Sequence, residues 1–522
     1  MQLRPVIASV GLLAGALIAL SGNTAQAAST RYEAESSPAV CTGTLDSDWA
    51  GYSGSGFCNG TNAVGAYAQF TVNAASAGTA TLNVGFANGT TSARPADIIV
   101  NGSTATSASF EGTGAWSTWT TKTLTVPVAA GSNTIRLNPT GSAGLPNVDY
   151  LDAEVSGTAA GTVLYVSPSG TDSAAGTESA PTTLTSAISR ITSGGTIYLR
   201  GGTYGYSSTV TVPAGTDGTS SARTTLSAYP GETPVLNFSA QSESSSNRGL
   251  QLNASYWHVY GIVVEHAGDN GIYVGGSNNV IERTVTRYNR DTGLQLGRIS
   301  SSTPSSQWPS NNLIVSAESH DNADSDGEDA DGFAAKLTTG TGNVFRYDVS
   351  HNNIDDGWDL YTKTDTGAIG PVTIEYSLSY NNGTLSDGTV NSNGDRNGYK
   401  LGGDDIAVNH VVQHSIAYGN GHHGFTYNSN PGTMTISNNA SIDNAERNFS
   451  FDAGTSVFRT NTSCRFSVSG SNDKTIGDAD SSNQFWTGSN GSRCSSYSGA
   501  LGWSYASDGH LAVTFGGTVV TP

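Results

Sequence analysis

Four aspartates and one lysine have the types and spacing to do chemistry together: Asp331, Asp355, Asp356, Asp359 and Lys400. All lie beside a glycine followed by an aromatic residue, in Asp331-Gly332-Phe333, Asp355-Asp356-Gly357-Trp358-Asp359 and Gly398-Tyr399-Lys400. If these segments are equivalent strands of stacked coils, the aromatic residue faces the core and the next residue faces outward, because side chains alternate along a strand. Asp359 and Lys400 are then neighbours one coil apart, at about 4.8 Å. Asp331 stacks on Asp356, with Asp355 beside it. Four carboxylates converging on one edge repel one another, so they take up protons or recruit a cation. Oxygen-only ligands favour a hard cation, and flexible carboxylates favour Ca2+ over Mg2+. Asp before Gly is ordinary turn chemistry and accounts for Asp331 and Asp356. It does not account for Asp359, which is in mid-strand, where Asp is disfavoured. Lys400 could be no more than an ion-pair partner for Asp359. Its place beside a cation site, on a face suited to a long polymer, argues against that bland reading.

The elements that must position these residues are visible as a repeat. The glycine–apolar unit recurs at Gly271-Ile272, Gly293-Leu294, Gly332-Phe333, Gly357-Trp358, Gly398-Tyr399 and Gly424-Phe425, and more weakly at Asn448-Phe449. The intervals are 22, 39, 25, 41, 26 and 24 residues. A unit of 22–26 residues suits one coil of a parallel β-helix, and the two long intervals are coils with insertions at about 297–330 and 362–397. A leucine-rich solenoid needs a leucine framework that is missing, and a propeller needs longer units. The expected outward column is Tyr273, Gln295, Ala334, Asp359, Lys400, Thr426 and Ser450. Recurrent asparagines, as in His351-Asn352-Asn353 and Tyr380-Asn381-Asn382, suggest an internal ladder of side-chain amides. The recurrent glycines suggest a backbone position with positive φ. The acidic run Asp321, Asp324, Asp326, Glu328, Asp329 falls in an insertion and reads equally as a second ion site or a solvated loop.

Upstream, Arg4, the apolar run Val6–Leu20 and Ala25-Gln26-Ala27 read as a secretory signal peptide spanning 1–27. No later stretch is apolar enough to span a bilayer, so a soluble, exported protein is expected. Residues 30–156 alternate short apolar strands with polar turns, which suggests a β-sandwich. Residues 157–162 read as a linker and 163–522 as the β-helix domain, with a short helix near Leu184–Ile191. Four cysteines fall into two separated pairs, Cys41/Cys58 and Cys464/Cys494, and two local disulfides are the simplest reading for an exported chain. The formal charge is −19 with only 12% charged residues. That excludes nucleic acid as a partner, since phosphate binding needs basic surface. An anionic substrate would need a cation between it and the protein.

The segments Ala330-Asp331-Gly332-Phe333-Ala334-Ala335-Lys336, His351 to Leu360 and Asn397-Gly398-Tyr399-Lys400-Leu401-Gly402-Gly403 resemble polysaccharide lyase family 9, from about residue 162 to the C-terminus. The resemblance implies an all-β chain with a right-handed parallel β-helix. It implies Ca2+ on Asp331, Asp355, Asp356 and Asp359, and Lys400 as the base of a β-elimination on a pectic polysaccharide, polygalacturonate or rhamnogalacturonan. Lys336 and Arg396 read equally as substrate-carboxylate contacts and as solvated surface charges. In the N-terminal domain Tyr32-Glu33-Ala34-Glu35, Gly114 to Trp119 and Pro146 to Asp152 resemble family 35 carbohydrate-binding modules. There the resemblance implies a structural calcium on Glu33, Glu35 and Asp152, and sugar contacts from Asn147 and Trp116. A monomer is expected. The competing classes are a hydrolase, which would need two carboxylates free to act as acid and base, and a non-catalytic, calcium-stabilised binding β-helix.

Overall fold

The computed structural model describes residues 29–74, 78–129, 131–157 and 162–521. The expected signal peptide and most of the expected linker lie outside the described residues. The chain divides into two compact units, 1–160 and 161–522.

The first unit is a β-sandwich. One sheet joins Thr30–Glu33, Gly43–Asp46, Phe57–Gly60, Gly78–Ala87, Thr120–Val128 and Asn147–Gly157; the other joins Val40–Cys41, Ala68–Ala74, Arg94–Val100, Ser103–Phe110 and Gly131–Pro139. Alternating residues such as Phe70, Val72, Leu82, Val84, Ile98 and Ile135 are buried between the sheets. The Cys41–Cys58 disulfide ties one sheet to the other.

The second unit is a parallel β-helix of three sheets, of 12, 10 and 10 strands. The first runs from Val163–Val166 to Asp478–Ala479, the second from Gly202–Gly205 to Thr462–Cys464, and the third from Val210–Val212 to Lys474–Thr475. A helix, Leu184–Arg190, packs Leu184, Ala187 and Ile188 into the core of the first coils. Its N-cap is Thr183, whose Oγ1 accepts from Ser186 N at 3.2 Å.

The third sheet carries the expected register. Its outward column is Gln251, Tyr273, Gln295, Ala334, Asp359, Lys400, Thr426, Ser450 and Lys474. Its inward column stacks aromatic rings, with centroids 4.9 Å apart for Phe333–Trp358, 4.9 Å for Trp358–Tyr399, 4.6 Å for Tyr399–Phe425 and 5.1 Å for Phe425–Phe449. Stacked aromatics bury large apolar area and hold neighbouring coils in register.

Between the second and third sheets, buried asparagines form the expected ladder. Each Nδ2 donates to the next Oδ1, from Asn289 to Asn322, Asn353, Asn382, Asn420 and Asn444, at 2.8–3.0 Å. The reason for the repeated glycines is corrected. The left-handed residues are those before the ladder asparagines, among them Asp321, Asn352, Asn381 and Asp443, with φ between 50° and 54°. The glycines of the repeat are needed for space: a Cβ on Gly398 would stand 2.6 Å from Gly424 O and 2.8 Å from Asn420 Nδ2.

The parallel coils end at Ala479. Beyond them Leu501–Tyr505, Leu511–Phe515 and Thr518–Val520 form a separate antiparallel sheet. It packs Val513 and Phe515 against Val349, Leu378 and Ile416 on the outer face of the second sheet. The Cys464–Cys494 disulfide anchors the preceding segment to the last strand of that sheet.

Candidate active site

The chemistry-bearing residues meet on the outward face of the third sheet. Strands Phe333–Ala335, Trp358–Asp359 and Tyr399–Lys400 are consecutive there, and Asp359 is the direct register partner of Lys400. The residue before each glycine forms a second column. Thr292 Oγ1 donates to Asp331 Oδ2 at 3.0 Å, Asp356 N donates to Asp331 Oδ1 at 3.3 Å, and Asn397 N donates to Asp356 Oδ1 at 2.6 Å. Asp355 Oδ1 accepts from Asp395 N at 2.5 Å and Arg396 N at 3.2 Å. Carboxylate oxygens of Asp331, Asp355 and Asp356 lie within 4.8 Å of one another.

Two lysines close over this cluster. Lys336 Nζ lies 2.8 Å from Asp331 Oδ2 and 3.6 Å from Asp359 Oδ2. Lys400 Nζ lies 2.9 Å from Asp395 Oδ2, 3.2 Å from Asp356 Oδ2 and 3.7 Å from Asp359 Oδ2. Both line a cavity of about 370 Å³, together with Asp359, Tyr361, Lys363 and Asp395.

Burial and crowding set the protonation. Burial pushes the carboxyls of Asp331 and Asp355 up, and neighbouring aspartates add to it. Burial raises Asp356 to about 6 against the opposing charge of Lys400. Burial alone would lower Lys400, but the carboxylates of Asp359, Asp356, Asp355 and Asp395 outweigh it and raise the ammonium. The same balance, with Asp331, Asp359 and Asp291, raises Lys336.

The donor set fits a hard cation. It is oxygen-only, and Asp356 Oδ2 and Asp359 Oδ1 are buried without a hydrogen bond. Asp331, Asp355 and Asp356 are close enough together to share one such cation, while Asp359, expected with them, faces Lys336 and Lys400.

The family description "Pel9A-like, right handed beta helix region" matches residues 164–462. The chain belongs to polysaccharide lyase family 9. It is accordingly a carbon–oxygen lyase. "Pectate lyase L" of Paenibacillus polymyxa (strain SC2) is 57% identical over 336 residues, 64% of this chain and 74% of that protein. A crystal structure of pectate lyase Pel9A superposes with a TM-score of 0.55 at 30% identity, over 69% of this chain and 88% of that one. The description of the family 6 carbohydrate-binding module matches residues 34–154. A native family 35 module from Clostridium thermocellum aligns with 24% of this chain and 98% of its own, at 41% identity and a TM-score of 0.24.

In this family 9 lyase, the other expected site residues divide. Lys336 lines the cavity, but as a buried member of the carboxylate cluster rather than a free surface charge. Arg396 does not line it. Its φ of 58° places its stem against Gly383 and Gly421, and its Nε is buried without a partner. Asp395 was not expected. It sits at the end of an insertion, where the repeat assigns no register, and its position three residues before Gly398 was the available signal.

In the binding module, Glu33 and Glu35 lie on either side of Gly54, and their expected partner is corrected. Asp152 stands opposite Arg31 in the sheet, and Arg31 takes both its oxygens at 2.7 Å. Asp149 joins the glutamates instead, accepting from Ser53 N at 2.9 Å while Ser53 Oγ donates to Glu33 at 2.8 Å. Burial raises Asp149 to about 6, with Glu33 and Glu35 adding to the rise. Glu35 Oε2 is buried without a hydrogen bond. Trp119 is structural, tilted against Phe57 with ring centroids 5.2 Å apart and with Nε1 donating to Ala50 O at 3.1 Å. Trp116 is half-buried and lies over Gly89, and Asn147 is 4% exposed. Trp116 is the more accessible of the two expected sugar contacts.

Proposed function

We propose that this protein is a secreted, monomeric, calcium-dependent pectate lyase that cleaves polygalacturonate by β-elimination, with Lys400 as the base. The observation that carries this reading is the position of Lys400 Nζ, at the wall of the cavity and within 3.7 Å of Asp356, Asp359 and Asp395. Two disulfides support export, since such bridges persist in oxidising compartments.

The proton to be removed is at C5 of a uronate, next to its carboxylate. Bound Ca2+ would withdraw charge from that carboxylate and stabilise the negative charge that develops when the proton leaves. Asp331, Asp355, Asp356 and Asp359 would hold the cation on the same face as Lys400. Lys400 accepts the proton on Nζ, and for this it must first be neutral. The surrounding carboxylates hold it as ammonium, so neutralising them and raising the pH both favour the reactive form. The C5–H electron pair then forms the C4=C5 double bond as the C4–O bond breaks, and the leaving oxygen takes a proton from water. A hydrolase fits poorly, because these carboxylates face lysines rather than an open space for water.

The test is ultraviolet absorbance of the unsaturated product from polygalacturonate and from rhamnogalacturonan, with calcium or a chelator. Absorbance that rises on polygalacturonate and disappears with chelator is expected. A rise confined to rhamnogalacturonan would move the substrate assignment. No rise on either would leave a calcium-stabilised binding β-helix.

A further inference from the structure

A second cavity, of about 290 Å³, adjoins the first on its N-terminal side and shares Lys336 and Leu337 with it as a wall. It is lined by Arg248, Tyr273, Gln295, Arg298 and Thr338, residues that the lysine and calcium chemistry does not use. Tyr273 and Gln295 belong to the same outward column as Asp359 and Lys400, and Ala334 is the small residue between them and Asp359.

Two arginines meet at Tyr273, Arg248 through its guanidinium and Arg298 through its backbone carbonyl. Arg248 lies 3.3 Å from the ring centroid and is paired with Asp269 at 3.3 Å. On the other side, Tyr273 OH donates to Arg298 O at 2.9 Å, and Arg298 N donates to Thr338 Oγ1 at 3.0 Å. The backbone of Arg298 is thus held from two sides. Its guanidinium makes no hydrogen bond or ion pair among the described residues, in a chain with a formal charge of −19. A pre-positioned cation without an anion, at the wall of a cavity, is a site for one from outside.

We propose that Arg298, supported by Arg248 stacked on Tyr273, forms a flanking subsite that binds the carboxylate of a second uronate, on the N-terminal side of the scissile residue. This rests on the polyuronate reading above. A pyranose unit is about as long as the spacing between coils, roughly 5 Å. A chain lying along the outward column therefore advances about one unit per coil, and Arg298, in the coil of Gln295, is two coils from Asp359. Lys336 stands at the junction of the two cavities, tied to the metal-site carboxylates, so the free charge in the second cavity is that of Arg298.

The test is steady-state kinetics on polygalacturonate for wild type, Arg298→Gln and Arg298→Lys, with thermal melts to verify folding. Loss of a charge-assisted hydrogen bond raises KM about tenfold or more in Arg298→Gln, while kcat changes less than about twofold because the base and cation site are untouched. Arg298→Lys recovers part of the KM. A smaller penalty at high salt, where an exposed charge is screened, supports the same assignment. An unchanged KM in Arg298→Gln overturns the subsite, as does a fall in kcat at constant KM. If wild type fails on polygalacturonate, the substrate reading falls first and takes the subsite with it. If wild type is active and Arg298→Gln is indistinguishable from it, the subsite alone falls.

Discussion

Asp359 and Lys400 are direct partners on adjacent parallel strands, and their charged groups meet at 3.7 Å. The pairing joins the two halves of the proposed chemistry: a carboxylate of the candidate cation site and the amine proposed as base. It also sets the pH dependence. The carboxylates around Lys400 raise its affinity for a proton, so the neutral amine grows as pH increases. The rate is expected to climb across pH 6 to 10. A flat profile over that range would remove Lys400 from the role of base.

Replacing Lys400 makes the same point by another route. A positioned general base contributes on the order of 10²–10⁴ in rate, so Lys400→Ala is expected to lose activity by that factor with KM little changed. Lys400→Arg should not restore it, because a guanidinium stays protonated. Recovery of most of the activity in Lys400→Arg would show that charge alone is required.

Calcium should stabilise the fold through the aspartate cluster. A ligand at a hundredfold excess over its Kd adds about 2.7 kcal/mol, readable as a rise in Tm. Asp356→Asn keeps the shape of the side chain but replaces Oδ2, which faces Lys400 without a hydrogen bond. The variant should lose most of the calcium-dependent rise. In chelator it should match or exceed wild type above pH 6, because a carboxyl raised to about 6 opposes folding increasingly as pH climbs from its unfolded value toward 6. An undiminished calcium shift in Asp356→Asn would place the cation elsewhere.

The outward column was legible before the structure because two periodicities sufficed: alternation along a strand and repetition along the coils. Asp359 and Lys400 follow from those alone. Asp395 does not, because an insertion breaks the count and returns at a depth that alternation does not specify. The left-handed φ of 58° at Arg396 is likewise not written in its residue type. Asp152 was misplaced because its strand partner, Arg31, lies 121 residues away. The glycines were recognised as necessary but for the wrong reason, since the ladder asparagines that crowd them come from other coils.

The asparagine ladder makes a strong prediction about stability. Asn382 Oδ1 accepts from Asn353 N at 3.2 Å and Asn353 Nδ2 at 2.9 Å, and its Nδ2 donates to Asn420 Oδ1 at 3.0 Å. Asn382→Ala leaves buried donors and an acceptor without partners, at about 1–3 kcal/mol each. A loss of several kcal/mol is expected, read by denaturant unfolding. Because the coils contact mainly their neighbours, the loss should appear first as hydrogen exchange in the coils on either side. A uniform, small change would mean that water fills the gap.

Asp348 occupies a comparable buried position with the opposite fault. Its Oδ1 accepts from Ala317 N at 2.8 Å, and its own N donates to Ser377 Oγ at 3.1 Å, but Oδ2 is buried without a partner. In the same column Asn439 and Asn461 use Nδ2 at that place to donate to Val412 O and Ile436 O of the preceding coil, at 2.9 and 2.7 Å. Burial raises the Asp348 carboxyl well above its ordinary value, outweighing the hydrogen bonds that favour the charge. A carboxyl raised in the folded state binds its proton more tightly there than in the unfolded chain. It therefore withdraws stability as pH rises from about 3.8 through the folded value, and the penalty is complete above it. Asp348→Asn removes the ionisation and supplies the missing donor. The variant should melt higher than wild type at neutral and alkaline pH, with the gap narrowing as the pH falls toward 4. A gap that is constant with pH would mean that the new hydrogen bond, not the buried charge, is what separates the two proteins.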